Sequence, residues 1–394
     1  MNIRSHHDAA RHIYNEFYLG QVRMATFKVV HRLRIADLLK EGPMTIEELA
    51  AATNTHETSL HRIMVTAHQM GLFQMYTDNK TFSLTMISDL MTIDHPMSMH
   101  GLIEFTCEEY MEKSLDLIHT TVSTGVPSFT KATPSGEDFY QYLRNDSEKG
   151  STFDSAMTCM DTTVSPLLAQ VCDFVDVKSI VDLGGGSGNS VLHILSQNEN
   201  VTSGTVADMT VVIEDSKTEK RRKARTRRFG DAVCNKINYT PCDLFKKDEW
   251  KGLPTADAYM LKNILHDWSD NECDDLLSNV VRKMEGDATK RLLVVEKIVI
   301  QEDVQPHKAG HDIVKLIFFK EESTHRSFEN FEKIFQRNGL KLTNITPLGD
   351  TDYYVFEGRL GTNCQNEAAL SCFSMANRLL NVGSPLPGAE SVDL

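Results

Sequence analysis

The sequence contains no long apolar run, no closely spaced cysteine pair and no excess of positive charge, and each absence argues against a class of protein. No apolar stretch in the 394 residues approaches the roughly 18 that a membrane-spanning helix requires. The eight cysteines include no C-x-x-C pair, so neither a zinc site nor a disulfide framework is expected. The 41 basic and 55 acidic residues give a net charge of −14, which argues against general affinity for nucleic acid or anionic membranes.

These absences predict a cytoplasmic protein with reduced thiols and no metal centre. The N-terminal residues also lack the apolar core of a signal peptide. With 41% hydrophobic residues, the chain is long enough to bury one large core or two moderate ones.

The most informative stretch is IVDLGGGSG at residues 180–188, where a cluster of glycines follows a short apolar run. Together with the apolar-periodic segment after it, this stretch predicts a strand, a glycine turn and a helix, as at the start of a nucleotide-binding α/β domain. The spacing from Gly184 and Gly186 is G-x-G-x-G, with Asn189 where a dinucleotide-binding fold has its third glycine. No Lys-Ser or Lys-Thr follows, so a P-loop is not indicated.

Acidic residues near this turn indicate the kind of ligand. Asp182 lies two residues before the first glycine, and Asp208 follows the next predicted strand, 20 residues beyond Gly188. A carboxylate at the position of Asp208 is suited to binding ribose hydroxyls. A nucleoside ligand that carries positive charge and no phosphate, such as S-adenosylmethionine, fits both acids. A plain structural turn is the alternative interpretation.

The order of elements after residue 178 predicts the fold class. Strands and helices alternate, which predicts an α/β domain with a Rossmann-like, mostly parallel sheet and helices on both faces. The last two predicted strands, 341–346 and 353–358, are too close for a crossover helix, so we expect them to pair antiparallel.

The N-terminal part predicts a mainly helical domain that contains a winged helix at about residues 34–90. Thr45 and Glu48 form a capping box before one helix, a second helix is predicted at 58–70, and two short strands follow. A winged helix can bind DNA, but the second helix has few basic residues and acidic neighbours. A packing and dimerisation module is therefore the favoured interpretation.

Two further segments each allow more than one interpretation. Phe153, Met157 and Met160 precede the glycine turn and can line a flat apolar pocket, although large side chains at helical spacing more often form a core. Residues 217–228 hold eight basic residues against one acid. A solvated, mobile insertion is the favoured interpretation of this run, and a nuclear address or an anionic partner stays open.

The densest group of chemically active residues is LKNILHDWSD at residues 261–270. An apolar strand ends there, at the carboxyl edge of the sheet where open α/β folds bind ligands. His266 and Asp267 lie just beyond the strand and face the predicted crevice. A lone histidine is usually structural, but this position favours a catalytic role.

The glycine motif, Asp208, the Cys-Asp-Leu-Phe run at 242–245 and the His-Asp-Trp box together resemble the class I S-adenosylmethionine-dependent O-methyltransferases. Plant caffeic acid O-methyltransferases and animal acetylserotonin O-methyltransferase are the most similar group. The resemblance spans roughly residues 10–360 and implies a homodimer formed through the N-terminal domain. It implies cofactor contacts from residues at the edge of the sheet, namely Gly184, Gly186, Asp208, Asp243, Leu244 and Lys262.

The resemblance also implies the chemistry. His266 is the general base that deprotonates a phenol or hydroxyindole, and Glu296 orients its imidazole. No metal is required. Two positions depart from the family pattern. His325 stands where many plant members have a second glutamate, and Lys315 lies in a usually apolar pocket wall, which suggests a more polar or acidic acceptor.

The prediction is therefore an O-methyltransferase of three parts: a helical dimerisation and lid domain at 1–165, a catalytic domain at 166–360 and a partly disordered tail at 361–394. Phe153, Met157, Met160 and Lys315 are predicted to contact a small aromatic substrate. Two alternatives stay open. One is a regulatory winged-helix protein that senses cofactor or ligand, and the other is methyl transfer to nitrogen.

Overall fold

The computed structural model describes residues 5–298, 306–319 and 326–361, without the side chains of residues 220, 306–309 and 311. The role predicted for His325 and the partial disorder predicted for the tail concern residues outside this description, apart from residue 361. The chain divides into two compact units. The first contains residues up to 112 together with 152–162, and the second contains 113–151 and residues from 163 onward. The domain limits predicted at residues 165 and 360 stay a prediction.

The first unit contains the winged-helix pattern. Its three-stranded antiparallel sheet has the order β1 (Met44–Thr45), β3 (Thr81–Leu84) and β2 (Phe73–Met75). Thr45 begins the following helix with the predicted capping box to Glu48. The helices within this unit are His6–His12, Leu19–Arg32, Ile35–Leu38, Ile46–Thr53, Glu57–Gln69, Met86–Asp89 and His100–Thr106, with a π-helix at Ile13–Tyr18 and a 3₁₀ turn at Leu39–Glu41. Two more helices, Glu109–Asp116 and Ser147–Met160, contain points where the chain passes between units.

The helices Leu19–Arg32 and Ile35–Leu38 are separated by a turn at Arg34. Arg34 has a φ of +54°, a left-handed conformation that cannot continue an α-helix. The chain therefore turns there, which places Val30 and Ile35 in one core with Leu49 and Met64 of the next two helices.

The second unit is built on a seven-stranded sheet whose order is β6-β5-β4-β7-β8-β10-β9. Neighbouring strands from β6 to β8 are parallel. As predicted, β10 is antiparallel to β9, and it is also antiparallel to β8. The strands are β4 (Ser179–Leu183), β5 (Ser203–Asp208), β6 (Ile237–Pro241), β7 (Ala258–Lys262), β8 (Arg291–Lys297), β9 (Leu340–Pro347) and β10 (Tyr353–Leu360). The central strands are apolar runs buried on both faces, as a helix-covered parallel sheet requires.

The helices of the second unit lie before β4 and between the later strands. They are Ile118–Thr124, Phe129–Ala132, Phe139–Asn145, Val164–Val171, Asn189–Gln197, Thr210–Ser216, Glu219–Phe229, Asp231–Cys234, Asp270–Lys283, Pro306–Phe318 and Phe328–Arg337, with 3₁₀ turns at Glu249–Gly252 and Leu265–Asp267. Among the described residues, no helix combines the length and apolar character needed to cross a bilayer.

The structure corrects our interpretation of the basic run at residues 217–228 as a mobile insertion. The run forms most of the helix Glu219–Phe229, and three of its arginines contact the rest of the second unit. Arg221 Nε donates to Asp215 Oδ2 at 3.0 Å, and Arg225 lies over the ring of Tyr239 at 4.8 Å. Arg228 donates to the side chain of Asn189 at 3.4 Å. These arginines pack their long stems and charged heads against the domain, which a sequence pattern of charge alone does not reveal.

Gly204 of β5 allows the helix Asn189–Gln197 to approach the sheet closely. A Cβ at this glycine would lie 2.2 Å from Cγ1 of Val191 and 3.3 Å from Cδ1 of Leu195. We expect Gly204→Ala to lower the free energy of unfolding by about 1–3 kcal/mol, because an overpacked core must shift side chains or backbone. Chemical denaturation measures the change. Gly252→Ala is the matched control, since a Cβ there meets nothing within 4 Å, and equal stability of the two variants would contradict the packing account.

Candidate active site

The glycine turn after β4 lies at the carboxyl edge of the sheet. Gly184, Gly186 and Gly188 have φ values of +74°, +55° and +81°, a region that side chains disfavour. A Cβ on Gly184 would lie 2.4 Å from Cδ1 of Ile264, and one on Gly188 would lie 2.9 Å from the hydroxyl of Tyr239. Close packing within the protein, as well as any ligand, therefore requires glycine at these positions.

Asp208 ends β5 beside this turn. Its Oδ2 accepts a hydrogen bond from the Gly186 backbone N–H at 2.9 Å, and its Oδ1 accepts one from Met209 N–H at 2.7 Å. Burial raises the pKa of the carboxyl group, although the two backbone N–H groups act against the increase. Each carboxylate oxygen has a second lone pair, so the group is held in place and can still accept from a ligand hydroxyl.

The loop after β6 is fixed by its own hydrogen bonds. Asp243 N–H donates to Glu249 Oε2 at 2.6 Å, and Asp243 Oδ1 accepts from Phe245 N–H at 3.1 Å. The Leu244 carbonyl accepts from the Trp250 indole N–H at 2.9 Å. Lys262 is the partly buried last residue of β7. Because the parallel strands end at one edge, the fold brings Asp243, Leu244 and Lys262 to the same edge as Gly184 and Asp208.

His266 lies in the 3₁₀ turn that follows β7, and Glu296 projects from the neighbouring strand β8. The imidazole Nδ1 donates to Glu296 Oε2 at 2.5 Å. Glu296 Oε1 accepts from the backbone N–H groups of Ile264 at 3.1 Å and His266 at 3.3 Å. The glutamate side chain is fully buried and the histidine side chain is 13% exposed. Glu296 thus orients both the ring and the turn that carries it.

The other nitrogen of His266 faces Asp267. Nε2 lies 3.2 Å from Asp267 Oδ1, and the Tyr140 hydroxyl donates to Asp267 Oδ2 at 2.6 Å. The Tyr140 ring also lies parallel to Trp268, with ring centroids 6.0 Å apart. The sequence gives no signal for this role of Tyr140, because no pattern connects it with a residue 127 positions away.

These contacts change the pKa values of the buried groups. Burial by itself lowers the pKa of His266, but the charges of Asp267 and Glu296 outweigh it and raise the value to about 9. The pKa of Asp267 is lowered; burial raises it, but the charge of His266 and its hydrogen bond lower it more. An imidazole between two carboxylates is therefore largely protonated at neutral pH.

Lys315, on the helix Pro306–Phe318, belongs to the same electrostatic environment. Its Nζ is buried and has no hydrogen-bond partner among the described residues. Burial lowers the pKa of this ammonium group to about 8, although Asp267 and Glu296 act in the opposite direction. Two pairs of aromatic rings also pack together here. The ring centroids of Phe245 and Trp268 are 4.3 Å apart, and those of Phe319 and Tyr140 are 5.5 Å apart.

Arg326 is a second residue that sequence reasoning missed. Its guanidinium donates to the carbonyls of Leu265 and Trp268, the latter at 2.7 Å, and to Asp270 Oδ1 at 3.0 Å. It thereby supports the loop that carries His266 from both ends. In the sequence, the one hint of this role is that Arg326 directly follows His325, which departs from the family pattern.

The predicted apolar pocket residues lie in the first unit. Phe153, Met157 and Met160 belong to the helix Ser147–Met160, and Phe153 packs against Phe105 with ring centroids 5.8 Å apart. Their contact with a substrate stays a prediction. The role of His325 also stays a prediction, because that residue lies outside the described part of the chain.

Two family models match the chain: an O-methyltransferase domain at residues 116–341 and an O-methyltransferase dimerisation domain at residues 15–94. The chain is 25% identical over 342 residues to a mitomycin biosynthesis 6-O-methyltransferase of Streptomyces lavendulae, covering 86% of this chain and 92% of the relative. It is 27% identical over 325 residues to an 8-amino-8-demethylriboflavin N,N-dimethyltransferase of Streptomyces davaonensis, covering 82% of this chain and 87% of the relative.

The fold is similar to the crystal structure of human N-acetylserotonin methyltransferase in complex with S-adenosylmethionine. The TM-score is 0.78, the match covers 92% of this chain and 100% of that chain, and the sequences are 20% identical. These findings confirm the family resemblance and the fold class that the sequence predicts.

The raised pKa of His266 predicts a pH-dependent contribution to stability. The folded-state value of about 9 lies above the unfolded value near 6.5. Protonated His266 therefore stabilises the fold fully below about pH 6.5, and this contribution is lost as the pH rises through about 9. We expect His266→Gln to lower the free energy of unfolding more at about pH 6 than at about pH 10, as measured by urea denaturation. His119→Gln, at an exposed site, is the control; a pH-independent loss in His266→Gln would contradict the ion-pair account.

Proposed function

This chain belongs to the O-methyltransferase family and is an S-adenosylmethionine-dependent methyltransferase, and we propose that it methylates a hydroxyl group of a small aromatic acceptor with His266 as the general base. The observation that carries the proposal is the buried His266–Glu296 pair, 2.5 Å apart at the ligand-binding edge of the sheet. The intact pair favours an enzyme over a regulatory protein with a methyltransferase-like domain.

The residues at the sheet edge fit the cofactor. Asp208 has a free lone pair on each of two fixed oxygens, as a pair of ribose hydroxyls requires. Asp208 and Asp243 add negative charge and the turn lacks a P-loop lysine, which suits a cationic ligand without phosphates. When bound, S-adenosylmethionine supplies a methyl group activated by a sulfonium. We assign Gly184, Gly186, Asp208, Asp243, Leu244 and Lys262 to its binding.

His266 supplies the base that an aromatic hydroxyl group needs for methylation. A phenol has a pKa of about 10, so it needs a base as its oxygen becomes a nucleophile. The neutral fraction of His266, which grows as the pH rises towards about 9, accepts that proton at Nε2. Glu296 holds Nδ1 and stabilises the imidazolium that forms. The acceptor hydroxyl takes the place that Asp267 Oδ1 occupies at 3.2 Å from Nε2. Tyr140 then keeps the displaced carboxylate oriented through the other oxygen.

The surroundings of His266 favour an aromatic acceptor with an acidic substituent. Tyr140, Trp268 and Phe245 present flat rings at this edge, and such surfaces pack against planar ligands. The Lys315 ammonium group is buried without a hydrogen-bond partner in the described structure, and a carboxylate or phenolate on the acceptor would satisfy it.

Transfer to nitrogen is the second candidate. It is supported by the similarity to a riboflavin N,N-dimethyltransferase, 27% identical to this chain. A neutral amine already carries a lone pair, so its methylation depends less on a base. Comparison of phenol and amine acceptors in the His266 variant therefore separates the two activities.

A homodimer is the proposed assembly. Residues 15–94 match the dimerisation domain of the family. The π-helix and the helix after it expose large apolar side chains, among them Tyr14 at 55%, Phe17 at 65% and Val22 at 47%. Exposed apolar clusters of this kind are typical of subunit interfaces.

We expect His266→Gln to reduce kcat/KM for a phenolic acceptor by about 10²–10⁴-fold, because general-base catalysis contributes that much. The dissociation constant for S-adenosylmethionine, measured by calorimetry, should change less than twofold. In the wild type, kcat/KM should rise with pH towards about 9, the pKa of His266. His119→Gln is the control with a normal rate. Near-wild-type turnover of phenols by His266→Gln would refute the base assignment.

Lys315→Met should raise KM for a carboxylated phenol by about 10–100-fold, since a hydrogen bond between charged groups contributes about 1.5–3 kcal/mol. The uncharged phenol of the same ring should keep its KM within about twofold. Steady-state kinetics with the paired acceptors measures the difference, and Lys315→Arg is the charge-preserving control. Equal changes for both phenols would mean that Lys315 shapes the pocket without recognising an acid.

A further inference from the structure

Three side chains of the first unit form a cluster that the methyltransferase chemistry does not use. His31 lies on the helix Leu19–Arg32, and His100 and Glu104 lie on the helix His100–Thr106. Residues four apart on a helix share a face, so His100 and Glu104 project together and His31 meets them from a second helix. One ligand atom from each residue lies within 4.8 Å of both others.

The contacts within this cluster are close. His31 Nε2 lies 2.6 Å from Glu104 Oε2, and the rings of His31 and His100 have centroids 4.7 Å apart at an angle of 44°. A tetrahedral ion with ligands at about 2.0–2.1 Å separates its ligand atoms by about 3.3 Å. The three ligand atoms span this separation, since one pair lies 2.6 Å apart and every pair lies within 4.8 Å.

The burial of the His31 side chain and of one ring nitrogen of His100 supports a ligand. His31 is only 4% exposed. The Nδ1 atom of His100 is buried and has no hydrogen-bond partner among the described residues. A buried polar atom without a partner is costly, and native structures usually satisfy it with protein, water or an ion. The Glu104 side chain is 51% exposed, which leaves a route from solvent.

Neighbouring cations do not occupy the carboxylate. Lys28 Nζ donates to Glu112 Oε1 at 2.7 Å, and Arg32 donates to the Cys107 carbonyl at 3.1 Å. Both lie on the same helix as His31, yet their hydrogen bonds are made to groups other than Glu104. The carboxylate is thus available to neutralise part of the charge of a divalent cation.

We propose that His31, His100 and Glu104 bind a zinc ion. Two imidazoles and one carboxylate are ligands that Zn²⁺ accepts, and water completes a tetrahedral site at the exposed side of Glu104. The ion joins the helices Leu19–Arg32 and His100–Thr106, so its binding stabilises the first unit. This proposal departs from the expectation of a protein without a metal site, and it is independent of the methyl-transfer proposal.

The test is zinc titration of the metal-stripped full-length protein against a competing chelator dye. We expect one tight site per chain in the wild type, loss of that site in His100→Ala, and weaker binding in Glu104→Gln. The double variant H6A/H7A is the matched control, because it removes two exposed histidines of the N-terminal helix and should keep the site. X-ray absorption of the wild-type zinc complex should report two imidazoles bound to the metal.

Thermal unfolding with and without zinc provides a measurement that does not depend on the variants' own stability. Zinc should raise the Tm of the wild type and of H6A/H7A and leave that of His100→Ala unchanged. Absence of tight zinc binding, its loss in H6A/H7A, its retention in His100→Ala, or an absorption spectrum without two imidazoles would each overturn the proposal. In those cases His31 and Glu104 form only a hydrogen-bonded pair.

Discussion

The buried contact between Glu296 and His266 is the constraint on which the active site depends. The carboxylate has no exposure, so it requires several donors, and it obtains them from one imidazole and two backbone N–H groups. All three donors belong to the turn after β7. The Glu296 carboxylate at the end of β8 therefore fixes the conformation of the loop after β7. Arg326 also holds that loop, by donating to the Trp268 carbonyl.

The same contact sets the electrostatics of the site. Glu296 and Asp267 raise the pKa of the ring between them to about 9, and buried Lys315 acts against them. This strength suits the general-base role that we propose for His266, because a phenol has a pKa of about 10. Tyr140 extends the network by donating a hydrogen bond to Asp267. The ring that packs on Trp268 therefore also orients a carboxylate beside His266.

The glycine turn and the sheet edge were predictable from sequence because their signals are local. Apolar runs followed by Gly184, Asp208 or His266 identify strand ends, and parallel strands bring their carboxyl ends to one edge. The capping box at Thr45 and the antiparallel final pair were predictable for the same reason. The basic run at 217–228 misled us, since its charge pattern does not show that Arg225 packs on Tyr239.

By itself, the sequence determined the order of the strands in the second unit, the functional residues at the strand ends and the family. Tertiary structure alone decided which distant side chains meet: Tyr140 with Asp267, Arg326 with the carbonyls of the His266 loop, and His31 with His100 and Glu104. The physical reason is the distance along the sequence over which each kind of interaction acts. Hydrophobic periodicity and turn chemistry act over a few residues, whereas these contacts arise from the packing of whole elements, which no short pattern records.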